Sequence, residues 1–124
     1  MSIYDERQLT LGQLIQRLEQ IDPRIPIRFS FGNFGVGGLD SYRGFYKDLA
    51  IAYDEDYNVT VGKLLEDLRL ALRQTFYGYK GGECYMHNDT PLWVANYGEV
   101  TSTAMCGVAV HKYAAFINTC KVDL

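Results

Sequence analysis

Three short segments bring together residue types that could bind a ligand. They are Asp40-Ser41-Tyr42-Arg43-Gly44-Phe45-Tyr46-Lys47, Thr75-Phe76-Tyr77-Gly78-Tyr79-Lys80-Gly81-Gly82 and Trp93-Val94-Ala95-Asn96-Tyr97-Gly98. Arg43 and Lys80 can hold phosphate or carboxylate oxygens, the first as a planar fork and the second as a point charge. Gly44, Gly81 and Gly82 let a backbone approach a ligand closely. Tyr42, Tyr79 and Trp93 offer ring faces on which a base can stack, and the Asn96 amide can read a base edge. Together they predict a pocket for a small anionic ligand, in the sharpest version a nucleotide. Each residue also has a plain structural reading. Gly81-Gly82 suits a hairpin turn, Arg43 could pair with Asp40, and Trp93 between Leu92 and Val94 suits a core strand.

Catalytic groupings are scarce. There is no P-loop, no GxSxG and no HExxH. Tyr42-Arg43-Gly44 and the later Thr101-Ser102-Thr103 resemble motifs of ADP-ribosyltransferases, but that fold needs a later glutamate and none follows Glu99. Cys84 and His87 could form a nucleophile and base, yet on a strand this spacing turns the two side chains to opposite faces. His87 and His111 are the only histidines, and Cys84 with His87 supplies two ligands where zinc needs more. No catalytic residue, metal or cofactor is expected.

Two elements repeat. Leu9-Thr10-Leu11-Gly12-Gln13-Leu14-Ile15-Gln16-Arg17-Leu18 reads against Val59-Thr60-Val61-Gly62-Lys63-Leu64-Leu65-Glu66-Asp67-Leu68. In each, threonine precedes an apolar series at helical spacing, so Thr10 and Thr60 are natural N-caps. Gln13 completes a capping box with Thr10, and Lys63 does not do so for Thr60. Duplication and convergence on one strand-into-helix start both explain the match, and convergence is the preferred reading. The spacing predicts helices over Leu11–Gln20 and Val61–Gln74. Strands are predicted around Ile27 to Phe31, Asp48 to Tyr53, Thr75 to Tyr79, Glu83 to Met86, Leu92 to Asn96 and Thr101 to Val110. Gly32 to Gly38 reads as a loop, and Val108 to Phe116 as a last strand or a short helix. The order implies an α+β fold, two helices packed on a mostly antiparallel sheet, in a single domain over 1–124.

The 124 residues carry a net charge of −3, which argues against a general binder of duplex nucleic acid. No apolar run is long enough to span a membrane, and the first residues hold no signal-peptide core. Three widely spaced cysteines, Cys84, Cys106 and Cys120, fit free thiols in a reducing, cytoplasmic compartment. Ten tyrosines supply flat, amphipathic contact area.

The ordered series Ser41-Tyr42-Arg43-Gly44-Phe45-Tyr46, Leu49-Ala50-Ile51, Thr75-Phe76-Tyr77-Gly78-Tyr79-Lys80-Gly81-Gly82, Met86 and Trp93-Val94-Ala95-Asn96-Tyr97-Gly98 resembles a family of small phage and prophage proteins. The match runs from about residue 9 to 107. Cys84, two residues after the glycine pair, stands where the family pattern has an aromatic. The resemblance implies a phage origin and carries no assigned activity. With it, the leading expectation is a non-catalytic, small-ligand-binding protein. Its concrete version is a counter-defence sponge that sequesters a nucleotide immune signal in a host cytoplasm, closed between subunits of a homo-oligomer. A protein-binding inhibitor of a host enzyme and a small nucleotide hydrolase are the alternatives.

Overall fold

A computed structural model describes residues 8–32, 34–42, 47–55, 59–77, 82–95 and 103–121. The fold is α+β, as the element order implies. Helices α1 (Leu11–Leu18) and α2 (Val61–Ala71) accompany strands β1 (Ile27–Phe29), β2 (Gly35–Ser41), β3 (Leu49–Asp54), β4 (Thr75–Tyr77), β5 (Glu83–Tyr85), β6 (Leu92–Ala95), β7 (Thr103–His111) and β8 (Ala114–Lys121). The mostly antiparallel sheet closes on itself as a barrel in the order β1-β2-β3-β6-β7-β8, while β4 and β5 form a separate hairpin. Parallel pairing occurs at β3–β6 and at β8–β1. Neither helix is long and apolar enough to cross a membrane.

Local chemistry sets the helix starts. The Thr10 side chain accepts from the Gln13 backbone and Gln13 returns the bond to the Thr10 N–H, while Thr60 accepts from Lys63 without a reciprocal partner. Each helix stops earlier than its apolar pattern suggests. Gln20 N–H bonds Arg17 in a tighter turn ahead of Pro23, and Arg73 N–H bonds Leu70 in the same way ahead of β4. Leu11, Leu14 and Leu18 of α1 and Val61, Leu64, Leu65 and Leu68 of α2 are buried in one cluster with the inward residues of the barrel, among them Ile27, Phe29, Leu49, Ile51, Leu92 and Val94.

The two halves are equivalent strand by strand. Arg28 sits opposite Gly35 as Trp93 sits opposite Ala104. Ile27, Arg28 and Phe29 pair with Ala115, Phe116 and Ile117 as Leu92, Trp93 and Val94 pair with Leu49, Ala50 and Ile51. Even the register shifts coincide, between Val36 and Leu39 in β2 and between Met105 and Gly107 in β7. The halves also interlock. Leu92 N–H donates to Leu9 and Leu11 N–H to Thr90, while Ile27 N–H donates to Val59 and Val61 N–H to Ile25. Convergence on a local helix start does not require equal registers across six strands, so duplication replaces it as the reading of the repeat. The glycine of each Thr-x-Gly start has a tertiary reason. Gly12 N–H donates to Asn88 and Gly62 N–H to Pro23, both at 2.9 Å, and this approach leaves little room for a Cβ.

Two expectations change. Only the start of the Gly32–Gly38 segment is a turn, with Gly32 at φ 56°, and Gly35 onward forms β2. The segment Val108–Phe116 is neither one strand nor a helix but a hairpin joining β7 to β8, with Lys112 at φ 46° in its turn. The predicted strand ends at Tyr79, Asn96 and Thr101 lie outside the described residues.

Candidate functional site

The second half contains one part that the first lacks. Chain from helix to first barrel strand occupies 19–26 in the first half and 72–91 in the second, where it includes the β4–β5 hairpin. Phe76 and Cys84 turn into the core and anchor this hairpin. Its other face carries Tyr77 and Tyr85, 60% and 55% exposed. The Tyr85 hydroxyl donates to Glu83 at 2.8 Å. That bond, together with the carboxylate charge, pushes the Tyr85 pKa up, because both favour the protonated phenol.

Beside the hairpin lies an open cleft of about 510 Å³. Lys47 and Asp48, at the entry to β3, form one wall, and Glu83, Cys84 and Tyr85 of β5 form another. His87, Asp89, Thr90 and Pro91, leading into β6, complete it. The turn before β6 is pinned by His87 N–H to the Thr90 hydroxyl at 2.7 Å and Thr90 N–H to the His87 carbonyl at 3.0 Å.

Behind the Asp48 wall, a small satellite core sits on the outer face of the barrel. Leu49 and Ile51, Leu92 and Val94 belong to the inner cluster, so the alternation of strand side chains turns Ala50 and Trp93 outward. Trp93 is nevertheless 0% exposed. The Tyr42 ring stacks on it with centroids 4.5 Å apart and planes 3° from parallel. Its indole N–H donates to the Asp48 carboxylate at 2.9 Å, and Tyr42 N–H donates to the Asp48 carbonyl at 2.9 Å. A buried indole needs such an acceptor, and Asp48, 4% exposed, supplies it.

Of the three sequence clusters, only Lys47 lines the cleft among the described residues, and the other two reach it through their neighbours. Lys47 of the first and the strand that follows the second line one cleft, and Trp93 of the third is bonded to Asp48 in its wall. Tyr42 and Trp93, expected to offer ring faces to a ligand, cover each other. Gly82 is exposed, with open space where a Cβ would lie. Arg43, Gly44, Tyr79, Lys80, Gly81 and Asn96 lie outside the described residues. Sequence reasoning passed over Asp48, Glu83 and Tyr85, and weighed His87 and Asp89 only for catalysis or metal binding, not as parts of a binding cleft. The available signal was Asp48 itself, an acid at the head of the apolar run Leu49-Ala50-Ile51-Ala52.

The described lining suits recognition. Two exposed carboxylates, Glu83 and Asp89, line the cleft with one ammonium, Lys47, while the Asp48 carboxylate is buried on the Trp93 indole. Cys84 is buried with its thiol toward the Gly82 carbonyl, whereas His87 is exposed. Among the described residues no three His, Cys, Asp or Glu side chains cluster as metal ligands. Among the described residues no disulfide joins Cys84, Cys106 or Cys120. No family model, curated protein or solved structure matches the chain.

Proposed function

We propose that the chain is a binding protein with no reaction of its own, and that its partner occupies the cleft beside the β4–β5 hairpin. The observation that carries this reading is the hairpin itself. In a chain of two equivalent halves it is the added part, and it builds one wall of a cleft lined also by Lys47 and by the turn before β6.

Two classes of occupant follow from the residues. A small anionic ligand would be held by Lys47 with Arg43 and Lys80. Its sharpest form is a counter-defence sponge for a nucleotide immune signal, and the resemblance to phage proteins is its support. A polypeptide partner is favoured by the described walls. Their carboxylates outnumber their one ammonium, which opposes phosphate, and the Tyr42 and Trp93 rings are engaged with each other. Tyr77 and Tyr85 stand exposed on the hairpin, as aromatic residues do in protein interfaces. A polypeptide partner is therefore the occupant that the geometry favours, and inhibition of a host enzyme by contact is the form this takes under the resemblance to phage proteins.

The test is a thermal-shift panel of linear and cyclic nucleotides beside affinity capture from host lysate. The expected result is no nucleotide shift, together with a captured protein that the Glu83→Lys/Asp89→Lys variant no longer retains. A nucleotide at 100 times its dissociation constant would add roughly 2.7 kcal/mol, several degrees at this size. Such a shift, lost in Arg43→Ala and Lys80→Ala, would restore the sponge reading. Release of an altered nucleotide would make the chain a hydrolase.

A further inference from the structure

We infer that the cleft takes an extended segment of a partner polypeptide as a third strand beside β5, with a basic side chain of that segment among the cleft carboxylates. The inference rests on the cleft being the binding site and adds the form of the occupant.

Among the described residues, strand β5 is paired on one side only. Its partner is β4, through Thr75 with Tyr85, Phe76 with Cys84 and Tyr77 with Glu83. Among the described residues, no backbone bond or isolated bridge reaches its other edge. Glu83, Cys84 and Tyr85 all line the cleft although successive side chains of a strand point to opposite faces, which argues that the side of the strand, and not one face, borders it. A two-stranded sheet is marginal by itself, and an open edge offers backbone N–H and C=O groups to whatever extended chain arrives. Proteins commonly block such edges with lysine, proline or a covering loop. The edge here reads Glu83-Cys84-Tyr85 and opens on a space of about 510 Å³. Strand addition draws affinity from the main chain and selectivity from alternate side chains.

The charges choose among incoming segments. Among the described residues, the exposed carboxylates of Glu83 and Asp89 line the cleft with one ammonium, Lys47, so a cationic side chain is attracted and an acidic one repelled. Arginine fits better than lysine, because its fork can engage two carboxylate oxygens and its plane can lie on the exposed Tyr85 ring.

The experiment pans a library of short random peptides against the wild-type chain, with the selected peptides and a nucleotide panel followed by backbone NMR. The expected peptides alternate β-branched or aromatic residues with arginine and shift the resonances of 83–85. N-methylation of every second backbone amide weakens binding by about tenfold or more in one register and hardly at all in the other. Glu83→Lys/Asp89→Lys stays folded, with a dispersed backbone spectrum, and loses the arginine peptides. Selection of acidic peptides, or equal tolerance of N-methylation in both registers, overturns the inference. No peptide selected while nucleotides shift the cleft resonances overturns strand addition and leaves the cleft as the binding site. Peptides that bind elsewhere, with no cleft resonance moved by any probe, overturn both.

Discussion

Replacing Gly12 or Gly62 by alanine probes the interlock that joins the two halves. At Gly12 a Cβ would stand 3.0 Å from the Asn88 Cβ and 3.1 Å from its carbonyl oxygen. At Gly62 it would stand 3.0 Å from the Pro23 Cβ and 3.1 Å from its carbonyl oxygen. Carbon atoms pack best at roughly 3.5–4.0 Å, so the crossing segment must retreat by about 0.5 Å. The retreat stretches the 2.9 Å bond from the same glycine N–H, because the contacted residue also carries the acceptor. Overpacking costs about 1–3 kcal/mol, and weakening the bond costs up to about 1 more. Alanine in a first helical turn returns roughly 0.5–1 kcal/mol. The net expectation is a loss of about 1–2 kcal/mol for each variant, or roughly 3–8 °C in melting temperature. Gly38, with nothing within 4 Å of its would-be Cβ, is the control, and Gly38→Ala should be neutral or slightly stabilising. The assay is thermal and urea denaturation of the three variants with the wild type. A neutral Gly12→Ala or Gly62→Ala would refute the close approach. A loss at one position only would refute the equivalence of the halves.

Asp48→Ala removes the acceptor of a buried indole N–H and should cost about 1–3 kcal/mol in urea unfolding, with a shift in Trp93 emission. An unchanged midpoint would show that the bond is dispensable. Lys112→Gly relieves a left-handed residue in the β7–β8 turn and should stabilise by about 0.5–1 kcal/mol, read as a higher melting temperature. The Tyr85 phenol bonded to Glu83 has its pKa raised, so the stabilisation this pair contributes is complete below the unfolded-state pKa and is lost as pH rises through the folded one. Glu83→Gln should bring the Tyr85 phenolate titration back toward its ordinary value, followed by ultraviolet absorbance. No movement in that titration would mean that the pair does not form in solution.

Much of the local structure was legible in the residues. Thr10 and Gln13 announce a helix start because a cap is made within four residues, and Ile27-Arg28-Phe29 announces a strand because alternation is local. β2 was not legible. Gly35, Gly37 and Gly38 carry no side chain to signal a strand, and pairing with β3 decides it. The hairpin at Lys112 was obscured because its turn, between apolar stretches on either side, lacks the glycine or asparagine such a turn favours.

The sequence by itself determined an α+β chain with two capped helices, a repeated Thr-x-Gly start and three clusters of aromatic, glycine and polar residues. The tertiary structure decided that the sheet closes and that the halves match throughout, although equivalent positions hold residues as unlike as Arg28 and Trp93 or Phe116 and Ala50. Strand register is set by backbone hydrogen bonds, which many side chains tolerate, so equivalence of this kind leaves little trace in residue identity. It also decided that Tyr42 and Trp93 stack on each other and that Asp48, β5 and the turn before β6 share a cleft. Those contacts join residues about 35 to 51 positions apart, and distance along a chain carries no information about distance across a barrel.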